Sequence, residues 1–99
     1  MELSTNEKIK CLEEIRTRLK KVLFVYEKQQ EDERYDYKKF CENFMVYVSS
    51  SNILFEGELV NIVVNLNAII TNDFDKPQIK RIVFESKNQV EYLLEKYRG

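Results

Sequence analysis

Apolar residues recur along this chain in steps of three and four. Ile9, Leu12, Ile15, Leu19, Val22, Leu23 and Tyr26 draw one stripe down the first segment, the mark of a helix with one dry face. Ser4 and Glu7 precede the stripe at capping-box spacing, so each side chain can satisfy the other's backbone N–H. The pattern predicts a helix ending near Gln30. Glu31, Asp32 and Glu33 make an acidic connection, and Asp36 is placed to cap the next helix. That second helix carries Tyr37, Phe40, Cys41, Phe44 and Val48 on one face. Ser49, Ser50, Ser51 and Asn52 predict its end, because short polar side chains compete for backbone hydrogen bonds. Asn52 is the expected left-handed residue there.

Ile53, Leu54 and Phe55 read as a short apolar plug, extended or in one loose turn, and Gly57 as the cap of a third helix. The third helix sets Leu59, Ile62, Val63, Leu66 and Ile70 on one face and ends at Thr71-Asn72-Asp73. Asp75, Pro77 and Gln78 form the next start signal: an N-cap, a proline in the first turn and a capping-box partner. Ile79, Ile82, Val83, Ser86, Val90, Leu93 and Tyr97 then give a fourth stripe. Four such stripes in residues 1–99 predict a single all-α domain, an antiparallel four-helix bundle. The alternative is an α+β fold with a hairpin around residues 44–64, which are rich in β-branched side chains. Against it, the serine-rich turn lacks Asn-Gly or Asp-Gly. The chain also has only two glycines and one proline, few for a β-rich domain.

The third helix is unusual on its second face. Val60, Val64 and Ala68 lie there with Asn61 and Asn65, and no charge occurs from Leu59 to Asn72. An outer helix ordinarily carries charge on its wet side. Either the chain covers this face, or a partner does, with Asn61 and Asn65 pairing across the interface. Phe24, Phe84 and Tyr92 also fall off the apolar stripes and join the candidate protein-contact residues.

Composition narrows the chemistry. Net charge is −1, which supplies no field to steer phosphate backbones or anionic lipid, and no nucleic-acid partner is expected. Arg16, Arg18, Lys20 and Lys21 read as a solvated helix face beside Glu13, Glu14 and Glu27. There is no histidine, hence no His-based triad and no commonest metal ligand. No glycine loop of the phosphate-binding type is present. The carboxylates Glu13, Glu14 and Glu31 to Glu33 read as solvated, and calcium at Glu31 to Asp36 lacks the loop glycine. Cys11 and Cys41 read as small buried hydrophobes with free thiols, which suits a reducing cytoplasm. No catalytic, cofactor or metal residue is expected, and no membrane span, since the apolar runs are too short.

Leu19-Lys20-Lys21-Val22, Tyr26-Glu27-Lys28-Gln29, Asn43-Phe44, Asn52-Ile53-Leu54-Phe55 and Asn65-Leu66 together carry a resemblance. Over Leu19 to Ile70 the chain resembles the middle of the enterocin A-type (class IIa) bacteriocin immunity proteins. The resemblance implies a bacterial protein that protects its producer. It departs at the end: the family finishes in a less regular tail, whereas Pro77 to Arg98 reads as a full amphipathic helix. The expected function is therefore non-enzymatic protein binding in the cytoplasm, with an immunity-like role as its specific form. The alternatives are a small regulatory or anti-defence accessory protein of a phage or mobile element, or a homodimer joined along the third helix.

Overall fold

The cap signals act where the sequence places them. In the computed structural model, which describes residues 3–99, the Glu7 N–H donates to Ser4 Oγ and the Ser4 N–H to Glu7 Oε1, each at 3.2 Å. This box opens α1, Thr5–Glu31. The Asp36 carboxylate accepts from the Lys39 N–H at 3.1 Å and opens α2, Tyr37–Leu54. After α3, Val60–Thr71, a second box between Asp75 and Gln78, at 2.9 and 3.0 Å, opens α4, Lys76–Arg98. The described residues form these four helices and no strand, so the domain is an all-α antiparallel four-helix bundle. The hairpin expected as an alternative over residues 44–64 does not form. The apolar residues there follow helical steps: Phe44 and Val48 of α2 and Ile62 of α3 are buried, while Val46, Ile53, Val60 and Val64 stand on the outer faces of the same helices.

Each helix packs on two neighbours: α1 on α4 and α2, and α3 on α2 and α4. Ion pairs mark the antiparallel register. Glu13, Arg16 and Glu27 of α1 meet Arg98, Glu91 and Lys76 of α4 at 3.1, 3.1 and 2.7 Å. Lys38 at the start of α2 meets Asp73 just after α3 at 2.6 Å. Such exposed pairs contribute little stability individually. The fold is held by the shared core, in which Leu12, Ile15, Leu19, Val48, Leu59, Ile62, Ile79 and Val90 are fully buried. Ile69 and Leu94, absent from the predicted stripes, are buried as well. Each adjoins a stripe residue, and close packing widens the dry face by that one position.

The join between α2 and α3 departs from expectation. α2 does not end at Ser49 but runs on to Leu54. Ser51 Oγ donates back to the Tyr47 carbonyl at 2.9 Å, so its hydroxyl is satisfied inside the helix. Ser49 and Ser50 are exposed to water. Asn52 is helical, and its Oδ1 accepts from the Leu59 N–H at 2.8 Å, which bridges the join. The left-handed residues are Glu56 (φ 54°) and Gly57 (φ 89°). Gly57 therefore reverses the chain, and Leu59, not Gly57, is the N-cap of α3. The plug is Phe55 alone: it is fully buried while Ile53 is 80% exposed.

Candidate functional site

Because α2 continues past its serines, Val46 and Ile53 lie seven residues apart on one helix face. Both point away from the core, 63% and 80% exposed. On the neighbouring α3, Ile62 and Leu66 turn inward, which leaves Val60 and Val64 outside at 49% and 59% exposure. No charged residue occurs between Asn43 and Phe55 or between Leu59 and Asn72. The outer surface of the α2/α3 pair is thus an uncharged strip with four exposed aliphatic side chains. Glu56 and Glu58 bound it at the turn; at the other end exposed Glu42, one turn before Val46 on α2, and Asp73 after α3 bound it.

Of the residues singled out on α3, Val60, Asn61 and Val64 are exposed, and the chain does not cover them. Ala68 and Asn65 are half-buried. Asn65 Nδ2 donates to Ser86 Oγ at 2.9 Å, and Ser86 is buried on α4. Asn65 therefore spends its amide inside the molecule, not across an interface with a partner. Sequence pattern does not disclose Val46 and Ile53, because a helix taken to end at Ser49 hides their shared face. Phe24, Phe84 and Tyr92 are 54%, 63% and 64% exposed, but they stand on α1 and α4. The eight candidates do not form one patch.

A second constellation closes one end of the bundle. The Glu58 carboxylate accepts from Lys96 Nζ at 2.6 Å and from the Tyr97 hydroxyl. Lys8 Nζ sits 5.0 Å from the Tyr97 ring centroid and 5.8 Å from that of Phe55, within cation–π range. Burial works to raise the Glu58 pKa, but the hydrogen bonds from Lys96 and Tyr97 outweigh it and hold the carboxyl below its ordinary value. Burial, reinforced by the bond to Glu58, pushes the Tyr97 phenol up to about 12. Glu58 is thus charged and Tyr97 protonated near neutral pH, and together they clasp the turn to the end of α4. A cavity of about 310 Å³ opens beside them, lined by Lys8, Phe55, Glu58, Lys96 and Tyr97 among others. Nothing in the sequence links these positions, which come from three distant segments.

The remaining candidates are structural. Burial pushes the Cys41 thiol up to about 12, so it is held as the thiol rather than the nucleophilic thiolate near neutral pH. Cys11 is half-buried and accepts from the Tyr47 hydroxyl at 3.6 Å. Glu13 and Glu14 are drawn into ion pairs with Arg98 and Arg18. Arg34 pairs with Asp32 and holds its carboxyl below the usual value. Among the described residues no cluster of metal-ligating side chains converges, and no helix is long and apolar enough to cross a membrane.

The fold and its surfaces define a small antiparallel four-helix protein set apart by an uncharged outer face on one helix pair. Comparison with protein-family models, curated proteins and solved structures finds no match for the chain.

Proposed function

We propose that this protein acts by binding another protein through the outer α2/α3 face. The observation that carries this reading is the exposure of Val46, Ile53, Val60 and Val64 on an uncharged surface, in a chain whose residues are one-third charged. Exposed aliphatic side chains on a surface without charge favour contact with a partner, since their removal from water is favourable. The resemblance over Leu19 to Ile70 makes protection against a peptide toxin the specific form to test first. Regulation of a larger protein and self-association are the other forms, and the same surface would serve each.

The test is a double substitution, Val46→Asp with Val64→Asp. It sets unpaired carboxylates into the contact, where burial of charge is strongly unfavourable. Capture of the partner from cells that naturally contain the protein is expected to fall by about a hundredfold. Sedimentation velocity reads the same change if the partner is a second copy, and survival under toxin challenge reads it for the protective role. Circular dichroism should be unchanged, because both positions are exposed. Undiminished capture, self-association and protection by a folded double variant would rule out α2/α3 as the contact face.

A further inference from the structure

The side of the bundle facing away from α2/α3 carries a surface of different chemistry. The Arg16–Glu91 and Glu27–Lys76 pairs, at 3.1 and 2.7 Å, set α1 antiparallel on α4. Between these two pairs stand Phe24 on α1 and Phe84 on α4, within about one helical turn of the same level. Both are more than half exposed. Lys20 and Lys28 lie four residues either side of Phe24, and Lys80 and Lys87 flank Phe84 at four and three. This spacing puts each lysine on the same helix face as its phenylalanine.

Much of the positive charge on this side is free of ion pairs, although Lys28 Nζ lies over the Phe24 ring, 5.7 Å from its centroid. Among the described residues, Lys20, Lys21, Lys28, Lys80 and Lys87 make no ion pair, whereas the nearby carboxylates Glu27, Glu85 and Glu91 are held by Lys76, Arg81 and Arg16. A chain with net charge −1 thus gathers lysines free of ion pairs beside Phe84, whereas Phe24 shares its surface with Lys28 and with the carboxylates of Glu27 and Glu31. Beside Phe84 there is a cavity of about 180 Å³ lined by Leu23 and Val83, with Lys80 and Lys87 also in its wall. An apolar niche ringed by ammonium groups matches an apolar side chain that has carboxylates next to it.

We propose that the α1/α4 face docks an acidic amphipathic segment of a partner protein. One apolar side chain of that segment seats beside Phe84, and its carboxylates meet Lys20, Lys80 and Lys87. A phosphate backbone or an anionic bilayer would engage the lysines but has no single side chain to fill the niche. This surface is separate from α2/α3 and does not depend on it.

The probe is a displayed library of random peptides of ~16 residues, about 24 Å long when helical, selected on the intact wild-type protein. Enriched peptides are expected to combine Asp and Glu with Leu, Ile or aromatic anchors. Their affinity should drop about tenfold for Lys80→Glu with Lys87→Glu, and should weaken as salt rises. Phe84→Ser should weaken them at constant charge, and Val46→Asp with Val64→Asp should leave them bound. Enrichment without acidic bias, no enrichment, or retention by both α4 variants would overturn the proposal. So would cosedimentation with phosphatidylglycerol vesicles or binding to duplex DNA in place of peptide binding.

Discussion

Phe55→Ala is expected to cost about 3–5 kcal/mol of unfolding free energy, the range for deleting a fully buried aromatic side chain. Phe55 has no exposed surface. It stands edge-on to Tyr97 with ring centroids 6.0 Å apart, under the Lys8 ammonium. Its backbone N–H also caps α2, donating to carbonyls of the last turn. One residue therefore stops a helix and fills the end of the core where α1, the α2–α3 turn and α4 meet. The next residue in the turn, Glu56, is held at positive φ, a conformation that costs a non-glycine residue about 1–3 kcal/mol. A bundle of this size is stable by only about 5–15 kcal/mol. Loss of the plug should leave it marginal. Urea denaturation checks this, with Phe55→Leu expected to lose about half as much. A loss below about 1 kcal/mol for alanine would show that this end of the core closes without the ring.

Asn65→Arg is expected to destabilise the fold by about 1–3 kcal/mol, whereas the neighbouring Val64→Arg should stay within about 0.5 kcal/mol of wild type. The two residues are adjacent in sequence and equally uncharged, but they face different surroundings. Asn65 donates to buried Ser86 across the α3/α4 seam at 2.9 Å. Arginine loses that bond and brings a larger, charged group to the seam. Val64 is 59% exposed and gives up no contact of that kind. Thermal unfolding of the two variants side by side provides the check. Equal stability would mean that the seam does not use the Asn65 amide. The contrast also decides how the contact face is probed, since lost binding in Asn65→Arg would report a loosened bundle rather than a blocked surface.

Much of the fold was legible in the sequence because helix starts and dry stripes are local. Ser4 with Glu7, Asp36, and Asp75 with Gln78 each satisfy backbone groups within one turn, so spacing alone discloses them. The end of α2 was not legible for the opposite reason. Whether three serines break a helix depends on tertiary contacts further along the chain. Here burial of Phe55 in the core, and the bond from the Leu59 N–H to Asn52, keep the helix wound to Leu54. Asn52 and Asn65 read as a cap and an interface residue. Their actual partners are the Leu59 N–H, seven residues on across the turn, and Ser86 on α4; the first follows from the shape of the turn and the second from the packing of α3 on α4. The candidate surface was half legible: Val60 and Val64 follow from the period of α3, but Val46 and Ile53 required the true length of α2. The clasp of Glu58, Lys96 and Tyr97 has no local signal at all.

The proposed contact face rests on one structural fact: α2 and α3 each bury one side and leave uncharged aliphatic residues in water on the other. Attenuation of methyl NMR signals by a soluble paramagnetic probe tests it most directly. Strong attenuation is expected at Val46, Ile53, Val60 and Val64, and little at Val48, Ile62, Leu66 and Ile69. Attenuation at Ile62 and Leu66, or protection of Val46 and Val64 equal to that of the core in the dilute protein, would contradict it.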